Sequence, residues 1–278
     1  MSMKHSIFKC GRFSLDLSHP IIMGILNLTP DSFSDGGRYL EVDAAIAHAQ
    51  AMLDEGADII DVGGESTRPD APFVSVDEEW RRLAPVLPRL ISLGIPVSID
   101  TRKAQVMKRA IEIGVDMVND VGALEDIGAI EAVAQSSVGI CLMHKKGNPD
   151  NMQHNPNYDN VLFEVSDYLN QRAEIAQQAG IESDRIVIDP GFGFGKTLDH
   201  NLDLLRNMQH LASLGYPVLV GLSRKSMLGA LTGEAASGRI HASTAAALLA
   251  VQKGAAIVRV HDVKATKDAL TILTAVEQ

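Results

Sequence analysis

Two cysteines in 278 residues are too few for a disulfide framework, and Cys141 lies inside the apolar run 138–143, where a reduced buried thiol is expected. A reducing, cytoplasmic setting fits that chemistry. Long apolar runs are also missing. The longest, residues 245–251, falls far short of the ~20 residues a bilayer requires, and residues 1–11 contain no apolar signal segment, so neither membrane spanning nor secretion is expected. There is no basic excess either. Lys and Arg total 25 against 35 Asp and Glu, a formal charge of -10, and the cations are scattered, which excludes a phosphate-backbone face and with it a nucleic-acid partner. No low-complexity linker interrupts the chain, so residues 1–278 read as a single domain. With 46% hydrophobic and 22% charged residues, there is enough apolar material for a core. The sequon at residues 27–29 carries too little information to use.

What is present is a repeated unit. Residues 56–64 (GADIIDVGG), 114–122 (GVDMVNDVG) and 254–262 (GAAIVRVHD) each follow a helix-like stretch; Gly ends the helix, a short apolar run follows and a polar residue closes it. Five more runs fit the scheme, at 21–26, 96–99, 138–143, 185–188 and 217–221. Helical periodicity lies between them, near 43–55, 77–93, 103–113, 127–135, 160–179, 202–214, 243–253 and 263–276. This predicts an α/β fold, a single (β/α)8 TIM barrel with its active site at the C-terminal ends of the strands. A doubly wound open sheet is the structural alternative.

The runs end in Asn27, Asp61, Asp100, Asn119, His144, Asp189, Ser223, and Arg259 with His261. Any one of these suits a turn cap, but eight at one barrel mouth are hard to explain that way. Carboxylates, amides and the nearby Lys225 suit a flat neutral heterocycle rich in donors and acceptors, such as a pterin ring. Arg259 and His261, two apart on one strand, share a face beside the start of the last helix, which suits an anion, a diphosphate for instance. The segment 191–197 (GFGFGKT) imitates a phosphate-binding loop, but the position of that motif's first glycine is Pro190, which excludes an ATPase. Its G-x-G-x-G spacing does not fit a dinucleotide fingerprint either.

Residues 27–37 (NLTPDSFSDGG), 61–69 (DVGGESTRP), 189–196 (DPGFGFGK), 221–226 (GLSRKS) and 259–263 (RVHDV) together resemble the dihydropteroate synthases, in order and spacing, over nearly the whole chain. The resemblance implies condensation of 6-hydroxymethyl-7,8-dihydropterin diphosphate with 4-aminobenzoate, giving 7,8-dihydropteroate and pyrophosphate. It implies pterin binding by Asp100, Asn119, Asp189 and Lys225, and a pyrophosphate site of Asn27, Arg259 and His261, with Asn27 also ligating Mg²⁺. Two loops resemble the family's mobile loops, carrying Asp31, Phe33 and Asp35, then Ser66, Thr67, Arg68 and Pro69. The aminobenzoate would lie against Phe33, Pro69, Phe194 and the Lys225 stem with its carboxylate near Ser226, where sulfonamides would compete, and Arg68 would assist the leaving group. The family's habit implies a homodimer built on outer helices. Lys145 and Lys146 depart from the family pattern, and a solvated loop pair is the expected account of them. A pterin-binding methyltransferase domain and a catalytically silent pterin-binding protein are the rivals; the first has no use for the SRKS segment or the two mobile loops, and the second would have lost the anion site that Asn27, Arg259 and His261 retain here.

Overall fold

Eight short aliphatic runs, apolar on both faces because helices cover one and the barrel interior the other, form parallel strands that close on themselves. The structure, a computed structural model, describes residues 7–28, 38–66, 72–147 and 156–277, with side chains from residue 41 in the first helix. The barrel strands are β3 (Ile21–Asn27), β4 (Ile59–Gly63), β5 (Val97–Asp100), β6 (Met117–Asp120), β7 (Gly139–Met143), β8 (Ile186–Asp189), β9 (Val218–Val220) and β10 (Ala255–Val260). Each pairs in parallel with the next, and β10 closes the ring on β3 with Val258 opposite Ile22. The register sets Asn27 opposite Gly63, Gly63 opposite Asp100, and Asp100 opposite Asn119, so these strand-end positions stand at one level of the same mouth. Asp61 points to the same side one layer deeper, as its two-residue offset from Gly63 requires.

The helices are α1 (Arg38–Asp54), α2 (Val76–Leu83), α3 (Leu87–Ile91), α4 (Ala104–Ile113), α5 (Ala129–Ala134), α6 (Val161–Gln178), α7 (Leu198–Arg206), α8 (Met208–Ala212), α9 (Ser226–Thr232), α10 (Ile240–Gln252) and α11 (Val263–Glu277). The expected helix at 77–93 is two, broken ahead of Pro88 in the first turn of α3, where proline lacks the donor that would continue α2. The one at 202–214 begins earlier, because Thr197 caps it: the Thr197 hydroxyl accepts from His200 N (3.2 Å) and the His200 ring accepts from Thr197 N (3.3 Å). It then restarts at Asn207 as α8.

The strand pattern did not anticipate an antiparallel hairpin, β1 (Ile7–Cys10) and β2 (Phe13–Asp16), which closes the amino-terminal mouth. Phe8, Cys10 and Leu17 join the barrel-interior residues Met23, Ile59, Met117, Val187 and Ile257 in one buried cluster. Both cysteines are buried and unpaired. Arg12 locks the hairpin by donating to buried Asp116 from Nε (2.9 Å) and Nη2 (2.8 Å), over a turn at Gly11 where φ is +55° and a Cβ would meet Asp116 Cα at 2.7 Å. Stability chemistry thus occupies one mouth and leaves the other to a ligand. No helix among the described residues is long and apolar enough to cross a membrane.

Candidate active site

At the carboxyl-terminal mouth four of the expected polar residues form one network. Arg259 on β10 donates from Nε to Asp61 Oδ2 (2.6 Å) and from Nη2 to Asp100 Oδ2 (2.7 Å). Asn119 Nδ2 donates to the same Asp61 oxygen at 3.1 Å. A carboxylate only accepts, so this contact fixes the amide orientation and leaves the Asn119 carbonyl oxygen as an acceptor for something else. Asp61 Oδ1 and Asp100 Oδ1 are buried and have no hydrogen-bond partner among the described residues, which makes them acceptors suited to a ligand's N–H groups.

Across the mouth, Asp189 ends β8. Its Oδ1 accepts from Gly191 N at 2.7 Å, and Oδ2 makes no hydrogen bond among the described residues. Lys225, in the turn after β9, places its ammonium 4.1 Å from the centre of the Phe194 ring, and its charge acts on Asp189. The Lys225 turn is strained: Arg224 adopts φ +57°, which a non-glycine residue seldom does. Its guanidinium is held by Asp262 (Nε 3.1 Å, Nη2 2.6 Å) and its N–H donates to Ser243 Oγ at 2.9 Å. Those contacts tie the β9 turn to the start of α11 and aim Lys225 into the cup. His261, the other half of the expected anion site, has Nδ1 3.0 Å from Ser223 Oγ.

Burial governs the charges here. It raises Asp189 above the ordinary carboxylate range, against the pull of the Gly191 N–H and of Lys225. Lys225 is lowered to about 8, again by burial, with Asp189 opposing. For Arg259 burial works downward, but Asp61 and Asp100 outweigh it and hold the guanidinium firmly protonated. Asp100 rises to about 7 because burial, reinforced by Asp61, Glu79 and Asp120, outweighs its one guanidinium contact. Arg259 thus stays protonated between its two carboxylates, and Asp100 is the partner that burial raises.

Phe194, nearly buried, packs with Val121 and Met143 on the cup wall. Ser226 opens α9 and is exposed, and Asn27 is half-buried at the end of β3. Ser66 is half-buried next to Glu65, whose Oε1 accepts from Val74 N (3.1 Å) and whose Oε2 accepts from buried Lys103 (2.7 Å), joining the chain on either side of residues 67–71. Phe33, Thr67, Arg68, Pro69, Asp31 and Asp35 lie outside the described residues. Lys146 is an exposed surface tie, bonded to Asn157 O (2.5 Å) and lying 4.1 Å from the Tyr158 ring centre. Among the described residues, no three His, Cys, Asp or Glu side chains converge as a cation cage.

Sequence reasoning noted Asp61 as a strand end but gave it no role, and it overlooked the Arg224–Asp262 pair and a buried Lys196–His144 pair. Asp61 and His144 left a trace in the sequence, their places at run ends; the two pairings themselves are long-range contacts that no local pattern records.

Residues 23–261 match the family model described as pterin binding enzyme. The chain is 55% identical over 273 residues to the dihydropteroate synthase of Neisseria meningitidis serogroup C, covering 96% of each. It shares the fold of Xanthomonas albilineans dihydropteroate synthase with 4-aminobenzoic acid at a TM-score of 0.92, with 49% identity and 98% of each chain covered. The Burkholderia cenocepacia dihydropteroate synthase complexed with 7,8-dihydropteroate matches at a TM-score of 0.89 and 45% identity, over 98% of this chain and 96% of that one.

Proposed function

The chain belongs to the pterin-binding enzyme family, and from that premise we infer that it is an enzyme condensing 6-hydroxymethyl-7,8-dihydropterin diphosphate with 4-aminobenzoate to 7,8-dihydropteroate and pyrophosphate. The observation that carries this reading is the meeting, at one barrel mouth, of carboxylate oxygens on Asp61, Asp100 and Asp189 that accept no hydrogen bond among the described residues with the cations Lys225 and Arg259. Residues 1–278 act as one domain. The biosynthetic role and the two free, buried cysteines support soluble, cytoplasmic residence.

Asp189 Oδ2, Asp100 Oδ1 and the Asn119 carbonyl accept from the ring's N–H and amino groups, and Lys225 donates to its carbonyl side. Arg259 commits Nε and one Nη2 hydrogen to carboxylates; the rest of its five donors, with His261, serve the diphosphate. Arg68 and Thr67 join them from the second loop. The aminobenzoate lies against Phe194 and the Lys225 stem, with Phe33, Ser66 and Pro69 covering it and Ser226 near its carboxylate. Magnesium fits the donor set: the Asn27 side chain makes no hydrogen bond among the described residues, and a cation that keeps most of its waters and takes phosphate oxygens needs few protein ligands. Bound there, it would neutralise charge on the departing diphosphate.

No nucleophilic side chain is required, because an arylamine is itself a neutral nucleophile. Arg259, His261 and Arg68 stabilise pyrophosphate as its C–O bond breaks, the electron-rich ring spreads the positive charge left at the exocyclic methylene, and the amine then attacks and loses its proton to water. Two copies associate through outer helices, where Leu249 on α10 and Ile272 and Val276 on α11 are exposed. Mixing the dihydropterin diphosphate, 4-aminobenzoate and Mg²⁺ with the protein tests the reaction: pyrophosphate and dihydropteroate should appear in equal amounts. Absence of both sinks the reading.

A further inference from the structure

The segment 190–195 must hold three glycines in left-handed conformations, with φ of +67° at Gly191, +81° at Gly193 and +64° at Gly195. Such a segment loses much freedom on folding and needs fastening. The fastening comes from Lys196, whose side chain is turned inward and is 3% exposed. Its Nζ lies 2.9 Å from His144 Nδ1, 2.9 Å from Gly191 O and 3.0 Å from Phe194 O. A fourth, longer contact runs to His144 O at 3.4 Å. Burial lowers Lys196 to about 7, and the Gly191 and Phe194 carbonyls accept from Nζ whether it carries two hydrogens or three. Burial and the adjoining lysine charge keep the His144 ring neutral, so Nδ1 and Nζ share one hydrogen whose side follows the tautomer. Close approach makes the fit unforgiving: a Cβ at Gly191 would stand 1.9 Å from His144 O, and one at Gly193 would stand 3.3 Å from Lys225 Cδ.

The carbonyl that Lys196 grips is that of Phe194, whose ring faces the Lys225 ammonium. We infer that Lys196 is a positioning residue, joining the exit of β7 through His144 to the glycine segment and so setting where Phe194 and Lys225 stand in the cup. Its consequence for turnover rests on the synthase reading; its consequence for the Phe194 position does not.

Lys196→Met keeps the side chain's length and removes its donors. Arg12→Met, at the opposite mouth, is the stability control. His144→Leu removes the polar partner of Nζ, whereas His144→Asn keeps an amide, able to accept or donate, on the branch that carries Nδ1. Steady-state kinetics with both substrates should show arylamine kcat/KM falling about 100-fold in Lys196→Met and in His144→Leu, with arylamine KM rising roughly tenfold, the scale expected when a binding wall is displaced by about an ångström. Arg12→Met should leave both constants unchanged at a similar loss of melting temperature, and His144→Asn should recover most of the activity. A crystal structure of Lys196→Met should show the Phe194 ring moved off Lys225, and this readout stands even if the wild type proves inert as a synthase. Kinetics matching Arg12→Met, or an unmoved Phe194, overturns the inference. Should Lys196→Met fail to fold, the His144 pair decides: equal activity of Leu and Asn variants overturns it as well.

Discussion

One oxygen of Asp61 holds both the Arg259 guanidinium and the Asn119 amide, at 2.6 and 3.1 Å, so this carboxylate orders two walls of the cup at once. Asp61→Asn replaces a charge-assisted acceptor with an amide that also presents N–H donors to Arg259. Losing a hydrogen bond to a charged group costs about 1.5–3 kcal/mol, and kcat/KM for the pterin substrate should fall roughly 10–100-fold, measurable by steady-state kinetics. Asp100 and Lys225 give a pH prediction. Asp100 has a folded pKa raised to about 7, so stability falls as pH rises from the ordinary carboxylate range through 7. Lys225 is lowered to about 8, so stability falls as pH drops from the ordinary lysine range through 8. Buried Asp100 and half-buried Lys225 are therefore both charged between these values, and melting temperatures should show the greatest gain from a bound pterin analogue near pH 7–8; a gain independent of pH contradicts this assignment. The residues that end apolar runs, Asp100, Asn119, Asp189 and Arg259, were legible because a parallel strand delivers its last inward side chain to a known place. Lys196 and Arg224 were not, since no period in a sequence records that two loops touch.

Elements differ in how plainly they announce themselves. Eight barrel strands stood out as unbroken aliphatic runs, the mark of strands buried on both faces. The β1–β2 hairpin alternates exposed with buried positions in β1 and half-buried with exposed ones in β2, over only four residues a strand, too short to rise above chance. Helix ends were fixed by local chemistry, the Thr197–His200 box and Pro88, and periodicity is blind to both. At this scale the sharpest prediction concerns the β8–α7 connection. Gly191→Ala forces a Cβ to within 1.9 Å of His144 O at a left-handed φ, and since neither backbone can yield cheaply, the variant should lose more than ~3 kcal/mol of stability in chemical denaturation. Stability within ~1 kcal/mol of wild type would show that this loop is far looser than its contacts imply.

Across the molecule, the two barrel mouths divide the work. The amino-terminal mouth is plugged by the hairpin and locked by Arg12 on Asp116; the other holds buried carboxylate oxygens that lack partners among the described residues, a stability cost that a ligand's N–H groups would offset. The barrel's outer surface bears on assembly. Ile272 is 67% exposed on α11, and if α10 and α11 form the dimer face, Ile272→Glu should sediment as a monomer where the wild type sediments as a dimer. A wild-type monomer removes that face from consideration. A crystal structure with the dihydropterin diphosphate bound would show whether one cup holds the ring beside one cationic rim for its diphosphate. The ring should lie on Asp100, Asn119 and Asp189 with the diphosphate reaching Arg259 and His261. A ring bound outside this mouth, or a diphosphate directed away from Arg259, would contradict this placement.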